Sequence, residues 1–237
     1  MILYLSMKSL LTFIVSLYLI TNCLNIFAQK TDSLTVDTEI LVSGNYITFK
    51  KGTSIVFDQT GKVIAGTLAK TIRLWTTGPC VLFESDKVLN FNPQGKVISG
   101  YIAEQTQLWT GDKNIAFKKG TKVSFNQDGK VFFGTPAIDL SFKLYGNNEI
   151  NIKEGTKLVL DSSGKIVSCT LSKNCDLPVI TSTISLKEGT VVNFSKEGTL
   201  ISGTIMKRAT FKTVSGKKKS FEIGSFVIFD ENGLVED

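Results

Sequence analysis

The sequence predicts an all-β fold in which six tandem repeats form an elongated antiparallel meander or β-solenoid. A segment of about 34 residues recurs six times, and apolar and polar residues alternate within each copy with a period of two. No helical periodicity of useful length follows the first thirty-odd residues. Alternation places every second side chain on one face of a strand. Since each short strand has only one apolar face, neighbouring repeats must stack to build a continuous core.

The first 28 residues predict a secretory signal peptide. A lone basic residue, Lys8, precedes an apolar run from Leu10 to Ile20, and the small residue Ala28 follows a polar patch. The apolar run is short for a membrane span, which needs about 20 residues. Lipid attachment at Cys23 is the alternative to cleavage near Ala28. We therefore expect an exported protein of the periplasm, the outer-membrane surface or the exterior, with no transmembrane span after signal removal.

The repeated segment is exemplified by residues 49–69, FKKGTSIVFDQTGKVIAGTLA. Successive copies start 34, 34, 35, 34 and 35 residues apart, at Phe49, Phe83, Phe117, Ile152, Leu186 and Phe221. Equal spacing of this kind is typical of repeat architectures. Because one repeat runs through residues 35–237, the sequence predicts a single domain after the signal peptide.

Each repeat accommodates four short strands with apolar residues at fixed positions. The first strands carry Ile40, Leu74, Leu108, Phe142, Leu177 and Phe211. The second carry Ile47/Phe49, Val81/Phe83, Ile115/Phe117, Ile150/Ile152, Ile184/Leu186 and Lys219/Phe221. The third carry Ile55/Phe57, Leu89/Phe91, Val123/Phe125, Leu158/Leu160, Val192/Phe194 and Val227/Phe229. The fourth begin with Val63, Val97, Val131, Ile166, Leu200 and Val235. These positions are the predicted core, and only Lys219, in the terminal repeat, is not apolar.

Turn residues predict how the strands connect. Between the third and fourth strands lie DQTG, NPQG, NQDG, DSSG, SKEG and DENG, which begin at Asp58, Asn92, Asn126, Asp161, Ser195 and Asp230. An Asp, Asn or Ser first and a Gly last indicate a type I turn closed by a left-handed glycine, hence a tight hairpin. Between the second and third strands, a Gly in five repeats and Asp86 in the other indicate a second tight reversal at a left-handed position.

A further glycine, at Gly66 and its equivalents Gly100, Gly134 and Gly203, falls inside the fourth strand, where the alternation slips. A bulge or sharp bend at this glycine explains both features. Cys169 occupies the same position in the fourth repeat. Either the bend does not require a positive φ, or the fourth repeat is built differently.

Two arrangements of four-stranded repeats are compatible with the pattern: an open meander and a closed ring. A small six-bladed β-propeller is the alternative to the open meander, but propeller blades usually need about 40 residues or more. No strand of the first or last repeat is visibly exchanged to close a ring. The sequence therefore favours the open form.

The residue types argue against an enzyme. The chain has no histidine, which removes the usual general base and the commonest zinc ligand. No dense run of carboxylates suggests calcium, and no glycine loop followed by Lys-Ser or Lys-Thr suggests a phosphate site. We expect no catalytic residue, no metal, no cofactor and no nucleic-acid partner. The net charge of +6, or +5 once Lys8 is removed with the signal peptide, is that of a mildly basic protein.

Trp75 and Trp109 are the candidate binding residues. Each lies one residue past a core leucine, Leu74 or Leu108, and so points to the opposite face of its strand. Two exposed aromatic residues in register could bind a sugar chain or a protein partner. Packing of both indoles under a loop is the other interpretation. Equivalent positions elsewhere hold Leu41, Lys143, Pro178 and Lys212, so any such surface is local.

Three cysteines follow the signal peptide: Cys80, Cys169 and Cys175. An exported chain meets an oxidising compartment, so Cys169 and Cys175 could form a disulfide if the chain doubles back between them. Cys80 would then be a free thiol, and no imidazole is present to activate it.

The motif Phe57-x-x-x-Gly61-Lys62-Val63-x-x-Gly66 and its copies resemble the hairpin of the MORN repeat and its bacterial variants. The longer pattern FKKGTxVxFxxxGKVxxGTL is similar to repeats in exported bacterial proteins without an assigned activity. The unit is longer than a MORN repeat and has an extra strand pair between hairpins. This resemblance implies a scaffold or interaction surface, sometimes at membranes, and supplies no catalytic residues. The function expected from the sequence is a non-enzymatic structural or partner-binding protein of the cell envelope or exterior. Its partner would be an envelope protein or a polysaccharide, and the alternative function is a carbohydrate-binding module.

Overall fold

The computed structural model describes residues 29–144, 148–180 and 182–237. The predicted signal peptide, with Cys23, lies outside this part of the chain. All regular structure in the described residues is β-strand, and none of these residues forms a helix long and apolar enough to cross a membrane. The strands are β1 Lys30–Ser33, β2 Thr38–Val42, β3 Asn45–Phe49, β4 Ser54–Phe57, β5 Val63–Thr67, β6 Ile72–Trp75, β7 Cys80–Phe83, β8 Val88–Phe91, β9 Val97–Tyr101, β10 Thr106–Trp109, β11 Asn114–Phe117, β12 Lys122–Phe125, β13 Val131–Gly134, β14 Leu140–Lys143, β15 Glu149–Ile152, β16 Leu158–Leu160, β17 Ile166–Thr170, β18 Cys175–Val179, β19 Ser182–Leu186, β20 Val191–Phe194, β21 Leu200–Thr204, β22 Ala209–Lys212, β23 Lys218–Phe221 and β24 Phe226–Ile228.

The third and fourth strands of the first five repeats, the third strand of the last repeat and an additional strand, β1, join into one twelve-stranded antiparallel sheet. Its order is β1-β4-β5-β8-β9-β12-β13-β16-β17-β20-β21-β24. The fourth strand predicted to begin at Val235 in the last repeat is not part of this sheet, because Val235 makes an isolated bridge to Thr213 instead. A propeller would keep the four strands of each repeat in a separate blade, whereas this sheet runs through every repeat. The open meander predicted from the sequence is therefore confirmed.

The first and second strands of each repeat form a two-stranded hairpin outside this sheet. The six hairpins are β2-β3, β6-β7, β10-β11, β14-β15, β18-β19 and β22-β23. They form a second layer, here called the hairpin layer, and the core lies between this layer and the sheet. Contacts between the layers include an edge-to-face pair of Phe49 and Phe91, with ring centroids 6.4 Å apart. At the end of the molecule Phe211 and Phe229 form a similar pair, with centroids 5.0 Å apart.

The residues predicted to form the core are buried, apart from Ile40, Phe57, Lys219 and Phe221. Those four lie in the first or last repeat, where a neighbour is present on one side only. Full burial of a large apolar side chain contributes about 1.5–3 kcal/mol relative to exposure. A further buried column, which the sequence analysis did not include, follows the fourth strand at Leu68, Ile102, Pro136, Leu171 and Ile205. Each of these residues pairs with the end of the second strand of its own repeat.

The turns between the third and fourth strands are built as the sequence predicts. In the first turn, Oδ1 of Asp58 accepts hydrogen bonds from the amides of Thr60 and Lys62, at 2.8 and 3.0 Å. Asn92 accepts the equivalent two bonds at 3.0 and 2.9 Å, so an amide oxygen replaces the carboxylate without loss. The glycine that closes each turn has a positive φ, 80° at Gly61.

The second reversal has a different role from a hairpin turn. Asp86 has the predicted left-handed conformation, with φ of 63°, and the equivalent Gly52 has φ of 72°. The second and third strands do not pair with each other, however, because the turn between them carries the chain from the hairpin layer to the sheet. The amide of Asp86 donates to the carbonyl of Leu68 in the preceding repeat, at 2.9 Å, so this turn links successive repeats.

The bulge in the fourth strand is present but lies ahead of the predicted glycine. Phe57 pairs with Val63 and Val56 pairs with Ala65, so Ile64 is the extra residue. Gly66 is not among the residues with positive φ. Its role is steric, because a Cβ built on it would lie 2.5 Å from Cδ1 of Phe49. Because this position does not require a positive φ, a cysteine can occupy it, as Cys169 does in the fourth repeat.

Contacts between turns give the repeats a fixed order. The hairpin turn at Thr77 and Gly78 touches the turn at Asn126–Gly129 of the next repeat, where the Thr77 hydroxyl donates to the Asn126 carbonyl at 2.8 Å. Gly111 meets Ser163 in the same way one repeat later. The second and third hairpins therefore rest on the sheet turns of the repeats that follow them, which places adjacent hairpins side by side.

Candidate binding surface on the hairpin layer

The outward side of the hairpin layer is set by strand alternation. In β6 the side chain of Leu74 is buried, whereas Trp75 is 55% exposed. In β10 Leu108 is buried and Trp109 is 45% exposed. The prediction that both indoles point away from the core is confirmed. Their exposure also decides against the interpretation that a loop covers them.

Two more apolar side chains extend this surface toward the first repeat. Leu41 of β2 occupies the position equivalent to the tryptophans, and Tyr46 of β3 lies directly across the hairpin from it. Leu41 is 57% exposed and Tyr46 is 65% exposed. We call Leu41, Tyr46, Trp75 and Trp109 the aromatic face. Tyr46 was not predicted from the sequence, because its position across the hairpin from Leu41 depends on the register of β2 and β3.

The polar neighbours of the indoles come from both the hairpins and the sheet turns. Trp75 lines a shallow depression with Ser43, Asn45 and Lys96. Trp109 lies opposite Asn114 in the register of β10 and β11. Apolar rings bordered by amides and an ammonium can bind a ligand through both apolar contact and hydrogen bonds.

One ion pair joins the second hairpin to the third repeat. Arg73, two residues before Trp75 on the same side of β6, donates to Glu104 at 2.7 Å. Both side chains are about half exposed, so the pair contributes little to stability. The pair links β6, which carries Trp75, to the segment that precedes β10, which carries Trp109.

The last three hairpins present a different surface. The positions equivalent to the tryptophans hold Lys143, Pro178 and Lys212, and all three are exposed. Lys143 lies across its hairpin from Glu149, and Lys212 lies across from Lys218. The aromatic face is therefore confined to the first three hairpins, as the local pattern of the sequence predicts.

A second depression lies where the third and fourth hairpins meet the sheet turns. Its volume is about 610 Å³, and its lining includes Lys113, Phe142, Lys143 and Glu197. The ammonium of Lys113 lies 3.6 Å from the centroid of the Phe142 ring. Burial lowers the pKa of Lys113, against the opposing effect of nearby carboxylates. This lysine is thus engaged in a cation–π contact that fastens the third hairpin to the fourth.

The three described cysteines are free thiols. Burial, with a smaller contribution from the Cys175 thiol, raises the pKa of Cys169 to about 12. Burial and the carboxylate of Asp176 raise the pKa of Cys175 to about 11. Since the thiolate is the reactive form, both thiols are poor nucleophiles at neutral pH. Cys80 lies opposite Trp75 in the register of β6 and β7.

In the part of the chain that the structure describes, no three Cys, Asp or Glu side chains converge into a group that could hold a metal ion. A scan against protein-family models and a search of curated proteins both find no match to this chain. The assignment of the candidate binding surface therefore rests on its geometry and residue types alone.

Proposed function

We propose that this protein is a non-enzymatic, exported repeat protein whose hairpin layer binds a partner in the bacterial cell envelope or outside the cell. The observation that carries the proposal is the aromatic face. Its four large side chains are each at least 45% exposed, and they occupy structurally equivalent or directly paired positions in consecutive hairpins.

Exposed single apolar residues are common, but a set of aromatic side chains on one surface is not. Tyr, Trp and Arg are the residue types that dominate binding energies at interfaces, and the aromatic face with Arg73 contains all three. Strands fix the backbone that carries these side chains, and Trp and Tyr have only two χ angles, so little conformational entropy is lost on binding. The surface thus has both the composition and the rigidity of a protein-binding site.

Two sequence features support the remaining parts of the proposal. The segment Lys8 to Ala28 has the order of a secretory signal peptide, which supports export. The similarity of the sheet hairpins to MORN repeats supports a scaffold or interaction role.

The proposal is tested by cell fractionation followed by cross-linking of the intact protein in the source cells. We expect the protein in the envelope or the medium, and we expect the variant W75A/W109A to lose the cross-linked partner. The matched control is K143A/K212A, which changes the equivalent positions of the last hairpins and should retain that partner. Recovery of the protein in the cytoplasm, or equal cross-linking of the two variants, would contradict the proposal.

A carbohydrate-binding module is the second candidate function. It is favoured by the two indoles in successive hairpins, because aromatic rings supply flat apolar surface and the flanking Arg73, Glu104 and Asn114 supply polar groups. The probe is an array of neutral and anionic polysaccharides. Retention of wild type but not W75A/W109A on a polysaccharide would establish this function, and the absence of any retention would leave protein binding as the function of the face.

A further inference from the structure

The twelve-stranded sheet has a second face, turned away from the hairpin layer. Register places one residue of each strand in a row across this face. From β4 to β24 the row reads Val56, Ala65, Asn90, Ser99, Ser124, Phe133, Val159, Ser168, Asn193, Ser202 and Ile228. We call this set the outer row. The row itself contains no ionisable side chain. Lys122 lies two residues before Ser124 on the same face of β12, at the margin of the row.

Ten of the eleven positions of the outer row, all except Val56, show a mirror symmetry of polarity about the point between β13 and β16. Phe133 and Val159, which pair directly, form the apolar centre. Serines flank them on both sides, at Ser124 and Ser168. Two polar residues follow on each side, and then one apolar residue. The polar positions are organised on both sides by the same hydrogen bond, from Asn90 to Ser99 and from Asn193 to Ser202, each 2.8 Å long.

The centre of the row is also where the repeat departs from its own pattern. The extra bulge residue and its neighbour are Ile64 and Ala65 in the first repeat, and they are an apolar residue and a serine in the second, fourth and fifth repeats. In the third repeat they are Phe132 and Phe133. Phe132 is 37% exposed, and its strand, β13, is seventh of the twelve. Two aromatic residues surrounded by small polar ones have the arrangement of a binding hot spot.

The area of the face is sufficient for a stable interface. The ten strands from β5 to β24, about 4.8 Å apart and about four residues long at about 3.4 Å per residue, span roughly 48 by 14 Å. That corresponds to about 650 Å² per partner, or about 1,300 Å² in total, which lies within the range of standard protein–protein interfaces.

We propose that a second copy of this chain covers the outer face, and that a two-fold axis parallel to the strands passes between β13 and β16. Sheets that pack face to face keep their strands within about 30° of each other, which such an axis permits. The axis places the positions of one half of the row against those of the other half. Phe133 of one copy then meets Val159 of the second copy, Ser124 meets Ser168, and Ala65 meets Ile228. Val56 and β1 extend beyond the second copy. The aromatic face remains free, because it lies on the opposite layer.

The first test measures the mass of the purified protein by sedimentation equilibrium over a range of concentrations. We expect a dimer, and we expect the variant F132I/F133S to raise its dissociation constant at least about 100-fold. This variant reproduces the natural pair Ile201-Ser202 of the fifth repeat, so it should fold, which circular dichroism verifies. W75A/W109A is the control and should leave the dimer unchanged. A monomeric wild type at about 100 µM, or a dimer insensitive to F132I/F133S, would overturn the proposal.

The second test addresses the position of the axis. S124K and S168D each introduce a charge opposite a serine of the second copy, and each should weaken the dimer at least about tenfold. In the double variant S124K/S168D, each introduced ammonium faces an introduced carboxylate of the second copy, so affinity should recover to near the wild-type value. If the double variant is weaker than either single variant, the proposed axis is wrong.

Discussion

Gly134, on the inner side of the sheet, and Phe117, in the hairpin layer, occupy adjoining space in the core. Gly134 leaves room for the ring of Phe117, since a Cβ built on this glycine would lie 2.5 Å from Cδ1 of the ring. In the fourth repeat the same two positions hold Cys169 and Ile152, and both are buried. A smaller apolar residue in the hairpin thus accompanies a larger residue in the sheet. The exchange conserves volume, which is the kind of change that cores tolerate best.

This pairing predicts a compensating double substitution. We expect I152F to lower the free energy of unfolding by about 1–3 kcal/mol, because the ring would overlap the Cys169 side chain. I152F/C169G should recover most of that loss. Urea unfolding of the two variants and of C169G under reducing conditions measures the coupling, which we expect to exceed about 1 kcal/mol.

The third repeat offers the reciprocal experiment. G134C should destabilise the protein, and G134C/F117I, which recreates the arrangement of the fourth repeat, should be more stable than G134C alone. Additive effects in both repeats would show that the two positions do not share space.

At the scale of the element, the sheet turns respond to pH through their first residue. Hydrogen bonds from the Thr60 hydroxyl and the Lys62 amide are the main causes that lower the pKa of Asp58. The pKa of Asp161 is also lowered: partial burial opposes the shift, and hydrogen bonds from Ser163 and Lys165 outweigh it. A carboxyl whose pKa is lower in the folded state stabilises that state above its unfolded pKa. This contribution is lost as the pH falls through the folded value.

We therefore expect D58N/D161N to flatten the dependence of stability on acid pH, because the variant has no carboxyl group to protonate at these two positions. Asn92 and Asn126 accept the same turn hydrogen bonds, so the amide should preserve both turns. Thermal melts from pH 7 to pH 3 should show a smaller loss for the variant, with the difference confined to the region below about pH 4, near the ordinary pKa of aspartate. D128N, which alters a carboxylate inside an equivalent turn, is the control. Parallel pH profiles of wild type and D58N/D161N would contradict this explanation.

At the scale of the whole molecule, each repeat contacts mainly its neighbours. The links are local: sheet pairing such as β5 with β8, the amide of Asp86 on Leu68, and hairpin turns on the sheet turns of the next repeat. Stability in such proteins is approximately a sum of repeat and interface contributions. We therefore expect that a whole repeat can be deleted from the chain without loss of the fold.

Excision of residues 83–116 removes one unit of 34 residues in phase, because Leu82 is then followed by Phe117 in place of Phe83. We expect the product to fold with a ten-stranded sheet and to unfold cooperatively. The denaturant dependence of its unfolding free energy should be smaller by about one sixth, since that slope scales with the surface exposed. Excision of residues 83–99, half a unit, brings unlike strands together and should abolish the cooperative transition. Equal behaviour of the two deletions would show that the repeat is not the structural unit.

The sequence alone determined most strands of the repeats, most of the core and the turns, but it did not predict β1 and it wrongly predicted a fourth strand at Val235. Period-two alternation identifies which side of each strand is buried, as for Leu74 and Trp75, because that choice depends only on the chain's local geometry. Turn chemistry is equally local, and so Asp86 and Asp58 were assigned correctly. The outward direction of the tryptophans followed from the same alternation, whereas the absence of a loop over them was decided by the tertiary structure.

Only the tertiary structure decided how the strands divide between two layers. The alternation is the same whether the second and third strands pair or cross between layers, so the pattern could not reveal that the turn at Asp86 joins hairpin to sheet. The bulge was misplaced at Gly66 because a steric need for glycine and a conformational one look alike in a sequence. Tyr46 and the outer row were invisible for a related reason. Cross-strand register brings together residues that are far apart in the chain, and that register is fixed by packing between repeats.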